Sequence, residues 1–375
     1  MSSTLAAPAP VHPPIDFATR PMLVFWETTR ACQLACRHCR ASASPQALPG
    51  ELTEREGRQL IDQVAAFGRP HPILVLTGGD CLLRPDLFKL IDHAVSLGIP
   101  VALSPSVTPL LTPQMIGRIA DSGVRAVSIS LDGARALTHD AVRGIPGHFD
   151  MTVQAITDLA TAGLTVQVNT TVMRTNVDEL AELAALLPQA GARMWEVFFL
   201  VHVGRGVTSG AITARDHEEV CQFLYEAAQH DLVVRTVEAP FFRRVVADRR
   251  SGQPAPTGAL YKRLAEQLRD LAGPPSPRVS AHTAATRDGK GIVFIAYDGA
   301  VYPAGFLPIS LGNIRSRQLA DIYRDDPLLI AIRGAKFTGR CGRCEYADLC
   351  GGSRARAYAA TGNPLGEDPA CPYQP

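Results

Sequence analysis

Short apolar runs recur along the chain at residues 22–26, 73–76, 101–103, 126–129, 166–168 and 195–201. Between them lie longer segments with apolar positions at helical spacing: 53–67, 85–97, 112–121, 149–162 and 177–187. Strands alternating with helices predict an α/β fold around a parallel sheet. Six such units predict a partial (β/α)6 TIM-like barrel, with a doubly wound open sheet as the competing arrangement. Residues 211–230 predict one more helix and 232–237 one more strand. From 239 to 287 the pattern dissolves. Basic pairs (Arg243, Arg244, Arg249, Arg250) and Pro/Gly clusters (252–258, 273–277) surround a single predicted helix, 260–271. Residues 291–296, Asp298-Gly299 and Val301-Tyr302 predict a hairpin with an Asp-Gly turn. The expected organisation is a mobile tail over 1–20, a barrel over 21–238, an irregular connector over 239–287, and a small separate α+β domain over 288–375.

Composition narrows the class. Hydrophobic residues make up 46% and charged residues 19% of the 375, enough to bury a sizeable core and too few charges for a disordered chain. Lys plus Arg (37) balance Asp plus Glu (36), so a general nucleic-acid binder is not expected. No apolar run approaches the ~18 residues of a membrane span. The start of the chain lacks the basic and apolar regions of a secretory signal. A soluble, cytoplasmic protein is expected. The nine cysteines are clustered, which in a reducing compartment points to metal binding rather than disulfides.

In a parallel barrel, reactive groups gather on loops after the C-terminal ends of strands. The polar residues here follow the apolar runs one after another: Glu27–Arg30 and the first cysteines, then Thr77–Asp80, Ser104–Ser106, Ser130–Gly133, Asn169–Thr171 and His202–Arg205. All six segments would meet at one mouth. The first cysteine group, CQLACRHC (Cys32, Cys36, Cys39), has C-x3-C-x2-C spacing. Three thiolates on a tight loop suit a cubane iron–sulfur cluster with one iron left open. Zinc with His38 as a fourth ligand, or plain thiols, are the other readings of that spacing.

CQLACRHC after a first strand, followed by TGGD after the second, resembles the radical S-adenosylmethionine superfamily over residues 22–237. The resemblance implies that Cys32, Cys36 and Cys39 hold a [4Fe-4S] cluster whose open iron chelates S-adenosylmethionine. Reductive cleavage then yields a 5′-deoxyadenosyl radical that takes a hydrogen atom from the substrate. By matching position, Gly78, Gly79 and Asp80 would receive the methionine amino group. The two glycines would let backbone approach the ligand closely. Ser130 and Arg143 would hold the ribose and carboxylate, Asn169 is a weaker match, and His38 would pack near the adenine. Asp80 stands where many members have Glu, and Cys81 where many have Pro. The plain alternatives are strand-end hydrogen bonding for Ser130 and Asn169 and a surface ion pair for Arg143. Cys221 reads as a buried small hydrophobe, and Cys81 as a packed thiol beside the cofactor.

The second group, Cys341-x2-Cys344-x5-Cys350-x20-Cys371, supplies four thiolates for a closed metal site. It resembles the SPASM/Twitch extensions of the same superfamily. The fuller seven-cysteine pattern has cysteine where this chain has Ala304 and Arg354. One auxiliary [4Fe-4S] cluster is therefore expected, with a zinc knuckle as the alternative. The stretches TTRACQLACRHCRA, SLDGARALTHDAVRGIPGHFD and CGGSRARAYAATGNPLGEDPAC resemble radical enzymes of tetrapyrrole maturation. That group removes propionate or acetate side chains from sirohaem derivatives or iron-coproporphyrin. Loss of carbon dioxide and an electron would leave a vinyl group, with the auxiliary cluster as electron acceptor. Arg can fork to propionates and His can ligate iron, so His202, Arg205, Arg354 and Arg356 are the candidate substrate residues. Peptide maturation and a non-catalytic iron–sulfur electron carrier are the competing functions. A flavodoxin- or ferredoxin-type donor is implied, with the basic residues 243–250 as its candidate docking patch.

Overall fold

A computed structural model describes residues 15–208, 210–253, 258–276, 279–281 and 286–375. Its strands are β1 (Leu23–Glu27), β2 (Ile73–Thr77), β3 (Val101–Leu103), β4 (Ala126–Ser130), β5 (Thr165–Val172), β6 (Met194–Phe199), β7 (Val233–Val237), β8 (Ile292–Ile295), β9 (Ala300–Tyr302) and β10 (Gly312–Asn313). They form one sheet in the order β10-β9-β8-β1-β2-β3-β4-β5-β6-β7. All pairs from β8 through β1 to β7 are parallel, whereas β9 and β10 run antiparallel. The two ends of the parallel array, β7 and β8, are not paired with each other. Among the described residues, a bridge from Val234 to Ala281 extends the β7 edge. The result is a partial barrel, as the alternating pattern predicts.

Helices follow the strands: α1 (Glu54–Ala65), α2 (Leu87–Ser96), α3 (Pro113–Asp121), α4 (Ala136–Arg143), α5 (His148–Thr161), α6 (Leu180–Gln189) and α7 (Ala214–Ala227). Local chemistry sets their starts. Thr53 and Glu56 form a capping box at α1, Thr213 and Asp216 another at α7, and Thr112 caps α3 with Pro113 in its first turn. On the strands, Val24, Leu74, Leu76, Val101, Leu103, Val127, Ile129, Val166, Val168, Trp195 and Val197 are fully buried in the main core. Trp26 shows which face this is: a methyl group on Gly57 of α1 would lie 2.7 Å from its ring. Alternate residues, including Phe25, Val75, Ser128, Ser130, Gln167, Asn169, Glu196 and Phe198, point to the opposite, less buried face, the interior of the barrel.

Three expectations need correction. The connector is not irregular around one helix: it carries α8 (Phe242–Arg250) and α9 (Ala259–Ala272). The Pro/Gly residues 254–257 and 277 lie outside the described residues. The basic pairs sit on α8, and three of the arginines turn inward. Arg244 pairs with Glu218 and Asp248, Arg249 with Glu226 at 2.6 Å, and Arg243 donates to the Leu349 carbonyl at 3.2 Å. They are not a solvent-facing docking patch. Second, the hairpin is not a separate unit, because β8 pairs with β1 along the whole of β8. The C-terminal part, with α10 (Leu319–Asp325), α11 (Pro327–Arg333), α12 (Gly339–Arg343) and α13 (Arg354–Thr361), is built onto the barrel sheet. Third, the end of the expected tail is anchored. Phe17 accepts from the Tyr323 hydroxyl at 2.8 Å, Thr19 from Arg324 at 2.9 Å, and Arg20 donates to Pro70 at 3.1 Å. Residues 1–14 lie outside the described residues. Among those described, no helix is long and apolar enough to cross a membrane.

Candidate active site and a second cysteine site

The first cysteine loop leaves β1 and is clamped at both ends. Cys32 N–H donates to Ser44 O at 2.7 Å and Ser44 N–H to Arg30 O at 3.0 Å. After β2, Gly79 N–H donates to Thr29 O and Asp80 N–H to Ala31 O. A Cβ on Gly79 would stand 2.2 Å from Ala31 O, and one on Gly78 2.6 Å from Thr29 O. Protein backbone alone therefore requires glycine at both positions. Gly204, after β6, does the same from the other side: its Cβ would lie 2.5 Å from Cys39 O, and its φ is +55°.

Cys32, Cys36 and Cys39 collect with Leu34, Ala43 and Ile145 in a side-chain cluster separate from the main core. Leu34 N–H (3.4 Å) and the Ser106 hydroxyl (3.7 Å) reach the Cys32 sulfur. Arg143 Nη1 donates to the Cys36 sulfur at 3.4 Å. Burial pushes the Cys32 thiol up from its ordinary value, with these hydrogen bonds opposing. A buried thiolate here needs a cationic partner, and iron meets that need. The donor set therefore fits an iron–sulfur cluster.

Asp132, in the loop after β4, organises this side of the mouth and was not among the sequence candidates. Its buried carboxylate meets Arg143 at 2.5 Å, His38 at 2.8 Å and Thr171 N–H at 2.8 Å. Burial alone would raise its pKa, but Arg143 and then His38 outweigh that and hold it well below the usual carboxylate range. His38 is thereby tethered to a carboxylate through its Nε2. Asp132 N–H donates to His139 Nδ1 (3.0 Å), so His139 presents Nε2–H to His148 Nδ1 (2.9 Å). His148 Nε2–H then meets the Val107 carbonyl at 2.9 Å. This histidine relay joins the β3 and β4 loops. The sequence signal was present in SLDG and HDAVRG, but only the fold brings Asp132, His139 and Arg143 together.

The other candidates divide. Asp80 is buried, and its carboxylate accepts from Leu82 (3.1 Å), Ser106 (3.3 Å) and Thr108 (3.0 Å), so its side chain ties the loops after β2 and β3. Ser130 is half-buried and its hydroxyl has no partner among the described residues. Asn169 lies in register with it and accepts from Gln167 at 2.8 Å. Arg205 braces the cysteine loop through the Cys36 carbonyl (2.9 Å) and Ala43 carbonyl (3.3 Å), so it is not set out for substrate. His202 is exposed after β6. Cys81 and Cys221 are fully buried, and burial pushes both thiols far up.

The second group also comes together. Cys341, Cys344, Cys350 and Cys371 line one pocket. They surround space rather than a point: no three such donors among the described residues are placed to share a single metal ion. Backbone N–H groups of Gly352 and Asp368 reach the sulfurs of Cys350 (3.4 Å) and Cys341 (3.5 Å). Burial pushes Cys350 up to about 12 and Cys371 to about 11. Arg354 is fully buried and donates to the Cys341 sulfur at 3.7 Å and to the Pro364 and Gly366 carbonyls. Arg356 pairs with Asp368 at 3.0 Å and holds the Glu238 carbonyl, after β7, at 2.6 Å. Both arginines are corrected from substrate candidates to supports of this pocket, because their guanidinium donors are turned inward onto protein.

A partial barrel with a thiol-bearing loop at its mouth and a second four-thiol pocket defines an iron–sulfur protein of the radical-enzyme class. The Radical SAM superfamily model matches residues 26–187, and the SPASM iron–sulfur cluster-binding domain matches 287–345. The chain is 37% identical to an AdoMet-dependent heme synthase of Oleidesulfovibrio alaskensis, over 94% of this chain and 87% of that one. It is 35% identical to one of Methanosarcina barkeri, over 96% and 99%. The structure of Streptococcus suis SuiB bound to S-adenosylmethionine superposes with a TM-score of 0.65 at 14% identity, over 95% of this chain and 78% of that one. The chain belongs to the radical S-adenosylmethionine superfamily, in the branch whose barrel is followed by a SPASM iron–sulfur domain. It is an enzyme that uses a [4Fe-4S] cluster with S-adenosylmethionine, and its second domain is of an iron–sulfur-binding type.

Proposed function

We propose that this enzyme modifies the side chains of a tetrapyrrole, most directly by oxidative decarboxylation of propionates on an iron-coproporphyrin. The observation that carries this reading is the likeness to AdoMet-dependent heme synthases, which covers 94–96% of this chain and 87–99% of theirs. When bound, the cluster and S-adenosylmethionine supply one-electron cleavage and hydrogen-atom abstraction.

In this reading Cys32, Cys36 and Cys39 hold the first cluster, and Cys341, Cys344, Cys350 and Cys371 hold one auxiliary [4Fe-4S] cluster. Arg143 sets a positive charge against Cys36, and Asp132 fixes that arginine and His38. Gly79 and Gly204 hold the loop so that its cysteines stay together. Ser130 and its register partner Asn169 would meet the nucleoside of S-adenosylmethionine. A flavodoxin- or ferredoxin-type donor and a cytoplasmic setting go with this reading.

The test is product analysis. Anaerobic incubation of reconstituted enzyme with iron-coproporphyrin III, dithionite and S-adenosylmethionine should convert propionates to vinyl groups, read by mass spectrometry with carbon dioxide release. Unchanged porphyrin, alongside turnover of a sirohaem derivative or a peptide, would move the assignment to that substrate.

A further inference from the structure

The barrel interior carries a polar row whose far end neither cysteine site uses. Strand register places Ser130 of β4 beside Asn169 of β5, Asn169 beside Glu196 of β6, and Glu196 beside Arg235 of β7. Register partners share a face, and each of the four is half-buried while its neighbours Ile129, Val168, Trp195 and Val234 are fully buried on the helix side. The row therefore starts at the residue expected to meet S-adenosylmethionine and runs across the interior to Arg235.

Within the row, Gln167 donates from one amide to both Asn169 (2.8 Å) and Glu196 (2.9 Å). Burial pushes the Glu196 carboxyl above its ordinary range, and Arg235 and Gln167 pull it part of the way back. Arg235 differs from the other arginines of the interior. Arg40 is committed to Glu27 at 3.0 Å, Arg143 to Asp132, and Arg205 to the cysteine loop. The Arg235 guanidinium makes no hydrogen bond and no ion pair with any described residue, and the Glu196 carboxylate, its register neighbour, is near it without closing a pair. A half-buried guanidinium whose donors meet no described residue is a ready fork for a planar anion.

We propose that Arg235 anchors a carboxylate of the substrate inside the barrel, with the Gln167–Glu196 pair as the polar wall beside it. This rests on the tetrapyrrole reading and names the recognised group: a propionate of the macrocycle. A propionate held there would lie on the same row as Ser130 and Asn169, within the barrel interior where hydrogen abstraction begins. Arg235 acts as a specificity-determining residue.

The test is equilibrium binding, read by the Soret band, of iron-coproporphyrin III and its tetramethyl ester to the cluster-loaded protein. Wild type, Arg235→Gln and Arg235→Lys are compared, with iron and sulfide content and circular dichroism as folding controls. The wild type should bind the acid at least about tenfold more tightly than the ester, the loss of one charge-assisted contact. R235Q should bind both alike, and R235K should recover part of the preference. Tight, acid-selective binding by a well-folded R235Q overturns the anchor and leaves the tetrapyrrole reading standing. Failure of the wild type to bind the acid overturns both.

Discussion

At the scale of single residues, the mouth of the barrel depends on close backbone approach and on one buried carboxylate. Gly79→Ala would drive a methyl group into the Ala31 carbonyl at 2.2 Å, where only backbone can give way. The expected outcome is loss of the first cluster with the second retained, read as a halving of iron content and loss of the S-adenosylmethionine effect on the reduced spectrum. Asp132→Asn keeps the shape but leaves the buried Arg143 without its counter-charge. Breaking a buried pair in this way costs roughly 3–5 kcal/mol, so the denaturant midpoint should fall well below wild type. Two histidines add a pH dependence. Burial lowers His139 to about 3 and His217 to about 4. Unfolded histidine takes up its proton near 6.5, while the native state refuses it. Stability is therefore full above about 6.5 and falls as pH drops, by up to about 1.4 kcal/mol per unit for each group, until the native pKa is reached. His217→Gln should flatten that slope in urea melts between pH 6.5 and 4.5; an unchanged slope would remove His217 from the account.

Among elements, the alternation of apolar runs and amphipathic segments made the strands legible because their period follows directly from which faces are buried. Helix α4 was missed: it is short and lies between Asp132 and Gly144, in a stretch read as loop chemistry. Helix α8 was missed because its arginines look like solvent-facing charge, whereas its ion pairs to Glu218, Glu226 and Asp248 turn them inward. Both cysteine groups were legible from spacing. The roles of Arg205, Arg354 and Arg356 were not, since an arginine on a sequence gives no sign of which carbonyls or sulfurs it will reach. At the second pocket, Arg354 donates to Cys341, while Arg243 and Arg244 lie close enough to bear on the charge of Cys350 and Cys371. Positive charge and hydrogen bonds to sulfur favour the reduced form of a cluster. Arg354→Gln should therefore shift the auxiliary midpoint to a more negative potential in a spectroscopic redox titration, with the first cluster unmoved. A shift in the other direction would contradict this placement.

For the whole molecule, one sheet carries both sites. Strand β8 pairs with β1, which launches the first cysteine loop, and Arg356 bonds the carbonyl of Glu238 just after β7. The second pocket is thus fixed to both edges of the partial barrel, and the interior between them carries Arg235, whose guanidinium meets no described residue. That arrangement suits a single substrate worked on inside the barrel, with both cysteine sites held at set positions around it. The most direct test is anaerobic formation of 5′-deoxyadenosine by the reconstituted enzyme, with and without iron-coproporphyrin, beside a Cys32→Ala/Cys36→Ala/Cys39→Ala control. The account predicts product in the wild type alone, strongly stimulated by the porphyrin and accompanied by carbon dioxide. No product from wild-type protein with both clusters verified would contradict it.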